Sequence, residues 1–228
     1  MSAKLFHNIS HKDKLRTIDA LVALCVPSHN FFFMIILAVI MATLGLLLNN
    51  TSIVIGSALL APILYPIMGI SMGTVMSDYK LIMISAKTLA KSVVLAVIAA
   101  AFATILFADT MTVPQIVYEL SRPSLMHAAV AVVAGLAASF AMVRSELNET
   151  LPGVAISAAL IPPLAVVGIG VGEINMEIIS GAFLLFLVNV AGITFAGVTT
   201  FSLMNFYVDR KEADKALEVE ERPSKAKA

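Results

Sequence analysis

Residues Leu151–Gly170 read LPGVAISAALIPPLAVVGIG, twenty positions without one charged side chain. A surface helix of a soluble protein keeps a polar face for water. This run keeps none. It is also the length a bilayer's hydrocarbon core requires, about 20 residues at 1.5 Å rise each. The rest of the chain has the same character. Of its 228 residues, 59% are hydrophobic and 13% charged, and the mean hydropathy is +0.95. An ordinary soluble domain is about 45–50% apolar and about 25% charged. So much apolar surface exceeds what one soluble core of this size can hide. Lipid as the solvent removes the difficulty.

Working outward, six apolar runs appear: Phe31–Leu48, Thr51–Met76, Ile84–Phe107, Ser124–Val143, Leu151–Gly172 and Glu177–Asn205. Backbone groups in lipid must be satisfied within their own segment, so each run is predicted to be a helix. A β-barrel would alternate polar and apolar residues, and these runs do not. The longest connection, 108–123, carries Pro114 and Pro123 as breakers. Residues 1–20 hold no apolar run, so the first segment reads as a retained helix and not a cleaved signal.

Charge sets the expected orientation. Lys4, Lys12, Lys14, Arg16, Lys80, Lys87, Lys91, Arg144 and the six basic residues after Asn205 fall on one side, and Arg122 alone falls on the other. By the positive-inside rule this predicts a multi-pass cell-membrane protein with both termini cytoplasmic. Residues 1–30 are predicted to form a cytoplasmic tail. Within it Asp13–Cys25 is an amphipathic helix, with Leu15, Ile18, Leu21 and Val22 on one face. That face can lie on headgroups or pack on its own protein. Residues 31–205 are the membrane domain and 206–228 a charged cytoplasmic tail.

The chain repeats itself. Ser57–Leu64 reads SALLAPIL and Ser157–Leu164 reads SAALIPPL. Aligned without gaps, Ser57/Ser157, Ala58/Ala158, Leu60/Leu160, Pro62/Pro162 and Leu64/Leu164 coincide. Each window is the middle segment of a triplet, in halves of about 31–108 and 124–205. Three crossings is an odd number, so the second half sits upside down relative to the first. The predicted fold is an all-α integral membrane protein of six transmembrane helices arranged as a 3+3 inverted repeat. Its second and fifth helices are expected to be broken by proline, because Pro62, Pro66, Pro162 and Pro163 remove donors and free carbonyls inside apolar runs.

At these residues the sequence resembles a family of hydrophobic membrane proteins known as domain of unknown function 389. The stretches that carry the resemblance are LGLLLNN (Leu44–Asn50), VIGSALLAPILYPIMGISMG (Val54–Gly73), Leu151–Gly170 and LLFLVNVAGI (Leu184–Ile193). The resemblance implies a polytopic prokaryotic membrane protein and says little about activity. Many members carry a soluble amino-terminal domain. This chain has only a short tail there and is expected to be the bare membrane core. Where the family tends to have glycine before the second proline, this chain has Tyr65.

Polar groups at membrane depth are the candidate site residues, since a charge at a helix centre costs about 2.5–3.5 kcal/mol on insertion scales. Lys87 is expected to snorkel to headgroups. Lys91 lies deeper, either snorkelling or facing a cavity. Asn189 is expected to bond carbonyls freed by the prolines or to join neighbouring helices. A loose alignment of the third and sixth segments puts Asn189 near the place of Lys91. Asn49 and Asn50 open the second segment as caps or as an anion site. His127 is expected at an interface. Translocation is the leading expectation, for a small solute or ion, along Asn49, Asn50, Ser57, Pro62, Tyr65, Pro66, Lys91, Ser157, Pro162, Pro163 and Asn189. The alternative is a non-transporting scaffold that binds lipid or a partner.

No nucleotide loop, nucleophile elbow, HExxH motif or intramembrane carboxylate pair occurs, so no enzyme, cofactor or metal site is expected. Zero net charge gives no reason to expect nucleic acid. The lipid bilayer is the expected partner. Homo-oligomerisation is plausible for so small a polytopic chain, and nothing in the sequence sets the number.

Overall fold

The computed structural model describes residues 11–26, 28–107, 113–144 and 150–206, and the readings of the first ten residues and of the tail after 206 lie outside them. The described residues are helical, with no strand among them. We number the helices α1 His11–Cys25, α2 His29–Leu47, α3 Thr51–Ala58, α4 Leu64–Met76, α5 Tyr79–Phe107, α6 Gln115–Glu119, α7 Leu125–Val143, α8 Thr150–Gly172 and α9 Met176–Leu203. Four of them, α2, α5, α7 and α9, are each long and apolar enough to cross a bilayer. The protein is a multi-pass membrane protein. The loop expected over 108–123 contains the short helix α6.

Three helix–helix turns share one design. In each, a glycine near the end of one helix is followed five residues later by Asn or Asp: Gly45 and Asn50, Gly73 and Asp78, Gly170 and Asn175. The N–H of that Asx residue donates to the glycine carbonyl at 2.8 Å in all three. The residue before it is left-handed, with φ 50° at Asn49, 54° at Ser77 and 53° at Ile174. This is the Schellman-type stop. The Asx Oδ1 then accepts from the N–H groups two and three residues on, at 3.0–3.3 Å, capping the next helix. A Cβ on each glycine would press against the first turns of the following helix, at 3.0 Å from Val54 N, 3.1 Å from Ile82 N and 3.0 Å from Ile179 N. Glycine therefore sets how tightly each pair closes.

Packing divides large from small side chains. Exposed faces carry Phe33, Leu37, Val94, Ile98, Phe102, Val130, Val133, Leu184 and Phe195. Buried faces of α5 and α7 carry Ser85, Ser92, Ala96, Ala100, Ala134, Gly135, Ala138 and Ser139. That is the distribution lipid favours, because helices gain little from burying leucine in protein instead of acyl chains and associate by close contact. Gly135 lets α7 meet the backbone of α9, where a Cβ would stand 2.9 Å from Ile193 Cα. Helix α8 is the centre. It packs against α2, α3, α5, α7 and α9, and every residue from Leu160 to Gly170 is buried. A helix enclosed on all sides needs no polar stripe, which explains its uniformly apolar sequence.

Buried positions recur with a fixed shift. Six positions of α2 reappear in α7 exactly 100 residues on: 31, 35, 38, 39, 42 and 43 become 131, 135, 138, 139, 142 and 143. Eight positions of α5 reappear in α9 with a shift of 97: 81, 85, 88, 92, 96, 100, 103 and 104 become 178, 182, 185, 189, 193, 197, 200 and 201. The turns Gly73–Asp78 and Gly170–Asn175 obey the same 97. The change from 100 to 97 falls between the two prolines of each middle segment: Pro62 matches Pro162, and Pro66 matches Pro163. Ile63, Leu64 and Tyr65 are therefore extra in the first half.

Three extra residues turn a helix by about 300° and lengthen it by about 4.5 Å. With the buried register kept on both sides, a continuous helix cannot absorb them. The chain leaves helix over 59–63, between α3 and α4. The expected break in the fifth segment is absent, and α8 runs through Pro162 and Pro163 without interruption. Lacking the extra residues, it has nothing to absorb. Packing against its neighbours keeps it helical through a step that costs an isolated helix about 3 kcal/mol.

Helix α1 uses its apolar face on the protein. Ile18, Leu21, Val22 and Cys25 are fully buried, and α1 packs on α4, α5 and α7. Thr17 Oγ1 donates to Met142 O at 3.2 Å, and Thr88 Oγ1 to Cys25 O at 3.1 Å. Most of the predicted apolar face thus packs on the protein, while Leu15 stays half-buried and Leu24 is exposed.

Candidate functional site

Proline has no N–H, so Pro162 and Pro163 return nothing to the carbonyls of Ala158 and Ala159, four residues back in α8. An orphaned carbonyl away from water must find another donor. Asn189, midway along α9 and 4% exposed, supplies one: its Nδ2 donates to Ala159 O at 2.7 Å. The expectation that Asn189 serves a carbonyl freed by proline is met at the carbonyl freed by Pro163. Its Oδ1 is buried and has no partner.

The first half solves the same problem differently. Ala61 lies in the interruption between α3 and α4. Its carbonyl accepts from Ser157 Oγ of α8 at 2.8 Å. Ser57, the counterpart of Ser157, donates to Val54 O within its own helix at 2.6 Å. One hydroxyl crosses between the middle segments and the other stays local.

Beside the prolines lies a cavity of ≈ 250 Å³, lined by Leu120, His127, Val130, Ala158, Ala159, Pro162, Pro163, Leu185 and Asn189. Its wall comes from α7, α8 and α9 with one residue from the segment after α6. His127, in the first turn of α7, is half-buried, and its Nδ1 lies 2.8 Å from Ser124 Oγ. Among the described residues no acidic side chain, lysine or arginine lines the space. Its polar groups are the Asn189 amide, the His127 ring and backbone carbonyls. Such walls suit a small, largely apolar or weakly polar occupant that offers a hydrogen-bond donor.

The structure brings three of the predicted residues to this cavity: Pro162, Pro163 and Asn189. Ser157 stands one turn away. The others lie elsewhere. Asn49 and Asn50 form the α2–α3 turn, where Asn50 caps α3. Pro62 sits in the interruption, and Pro66 is buried in the first turn of α4, where no donor is needed. Tyr65 O accepts from Cys25 Sγ at 3.2 Å. Lys91 is exposed on α5, as is Lys87, and does not line this cavity. The shift of 97 pairs Asn189 with Ser92, on the buried face next to Lys91, and the loose alignment is off by one residue.

Leu120, Val130, Ala158, Ala159 and Leu185 were not expected as lining residues, and His127 was expected only at an interface. No periodicity marks them, because they reach the cavity from four different parts of the chain. Among the described residues no group of three or more His, Cys, Asp or Glu could hold a metal ion.

Comparison with known proteins places the chain. The model of a family described as "Domain of unknown function (DUF389)" matches residues 58–195, and the chain belongs to that family. It is also similar to an uncharacterised protein of Methanocaldococcus jannaschii, 32% identical over 175 residues, covering 77% of this chain and 54% of the relative. The chain thus spans about half the length of that relative. No solved structure matches.

Proposed function

We propose that this member of the family is a membrane transporter or channel for a small solute or ion. In this reading six crossings form a 3+3 inverted repeat, α2 to α5 and α7 to α9, with α3 and α4 together making one crossing. The shifts of 100 and 97 support the repeat, and three crossings per half make it inverted. The path runs beside Pro162 and Pro163. One observation carries the reading: the central helix surrenders two backbone bonds at mid-length and leaves a cavity there, with an interior amide spent on one freed carbonyl. The exposed Ala158 and Val130 on its wall leave the cavity open to an occupant from outside the bundle.

Reconstituted proteoliposomes test it. The wild-type protein is expected to pass at least one member of a panel of monovalent ions, amines and small alcohols. Asn189→Leu should cut that flux at least tenfold. Ala158→Leu should do the same by filling the cavity from a position that is already exposed, leaving the Asn189 bond intact. Absence of flux over the whole panel, or flux that ignores both substitutions, overturns the proposal.

A further inference from the structure

Helices α5 and α9 share their buried register but not their exposed faces. Lys87 and Lys91 stand one turn apart on α5, both exposed. Their counterparts at the shift of 97 are Leu184, which is exposed, and Val188, which is half-buried. The fold thus accepts apolar residues at these places, and the lysines answer some other need. Neither makes a hydrogen bond or ion pair with another of the described residues. Two like charges at this spacing repel each other, so the pair is unfavourable until an anion sits between them.

Depth identifies the anion. Helix α5 has 29 residues and is about 43 Å long, against about 30 Å of hydrocarbon. Beyond Lys91 its exposed face is apolar through Val94, Ile98, Phe102, Ile105 and Phe107. That stretch, from Lys91 to Phe107, covers about 24 Å. Helical side chains lean toward the amino end, and a lysine stem extends the reach further in the same direction. The two ammonium groups therefore arrive at the level of the lipid phosphates, above a strip of bulky apolar side chains that acyl chains can cover.

We propose that Lys87 and Lys91 together hold the phosphate of an anionic phospholipid in the leaflet at the Tyr79 end of α5. Lysine suits the task as a compact point charge for phosphate. The site is independent of the cavity beside α8 and of any transport activity.

Native mass spectrometry of the delipidated protein, offered equal amounts of phosphatidylglycerol and phosphatidylcholine, tests it. The wild type is expected to retain phosphatidylglycerol several-fold over phosphatidylcholine. Lys87→Gln/Lys91→Gln should bring the two lipids to parity while the helical circular dichroism stays unchanged. Lys87→Arg/Lys91→Arg should keep the preference. Inorganic phosphate at millimolar concentration should not displace the lipid. An unchanged preference in the glutamine variant overturns the proposal, as does displacement by free phosphate. Efficient disulfide formation between copies carrying Lys91→Cys also overturns it, because the face then belongs to a second copy of the chain.

Discussion

Ser157 is a single hydroxyl holding a carbonyl that its own segment cannot satisfy. Removing it strands Ala61 O in the interior. Hydrogen bonds between membrane helices average about 0.6 kcal/mol and reach about 1.7. An orphaned buried acceptor adds its desolvation. Ser157→Ala should therefore lower stability by about 1–2 kcal/mol in a reversible detergent unfolding titration. Ser57→Ala removes only a local bond and should cost less than half as much. Equal losses would remove the role assigned to the cross-segment bond. Cys25 makes a second case at this scale. Burial pushes its thiol up to about 12, and the polar groups of Ser85 and Gly69 nearby oppose the rise only in part. The folded state holds the proton more tightly than the unfolded chain, whose thiol titrates near 9.0. The thiol's contribution to stability is full below pH 9 and is lost as pH rises toward 12. A maleimide at pH 8 is expected to leave the folded protein unlabelled and to label it after denaturation in sodium dodecyl sulfate. Asn189 was legible in the sequence because a polar amide in an apolar run is costly and rare. His127 was not, because its role depends on how α7 sits against α8.

At the scale of elements, the same three residues explain both the interruption of the second segment and the continuity of the fifth. The gap-free alignment of SALLAPIL with SAALIPPL showed the repeat and hid the insertion, because Leu64 and Leu164 coincide by chance. The buried register exposes the step between the prolines. That account predicts a contrast between two deletions. Removing Ile63, Leu64 and Tyr65 joins Pro62 to Pro66 in the manner of Pro162 and Pro163, and keeps α3 and α4 in register with their neighbours. Removing Ile63 alone rotates one side against the other by about 100°. The three-residue deletion is expected to give a monodisperse protein of slightly higher helical content by circular dichroism. The single deletion should aggregate. The reverse ranking would show that the shift from 100 to 97 has no structural meaning. Six apolar segments and the helical class were plain from composition, since lipid leaves no other option. Whether a proline pair interrupts a helix was not, because the decision rests on enclosure by neighbours.

For the whole molecule, the positive-inside rule and the odd number of crossings per half make one joint statement about sidedness. In the proposed arrangement three crossings, α5, α7 and α8, separate the turn at Tyr79 from the turn at Ile174, so the two turns are expected to face opposite sides. The turn at Leu48 would be separated from Tyr79 by the interrupted crossing alone, and is expected to share a side with Ile174. These positions are 71%, 90% and 68% exposed, which makes them good places for a probe. The native Cys25 is fully buried and adds no background. In intact cells an impermeant maleimide is expected to label Leu48→Cys and Ile174→Cys, and to reach Tyr79→Cys only after the membrane is opened. Labelling of Tyr79→Cys and Ile174→Cys from one side would break the inverted arrangement. Labelling of Leu48→Cys and Tyr79→Cys from one side would mean that α3 and α4 dip into the bilayer and return. In that case the interruption at 59–63 would mark a re-entrant loop, and the path beside α8 would have to be sought with only five crossings.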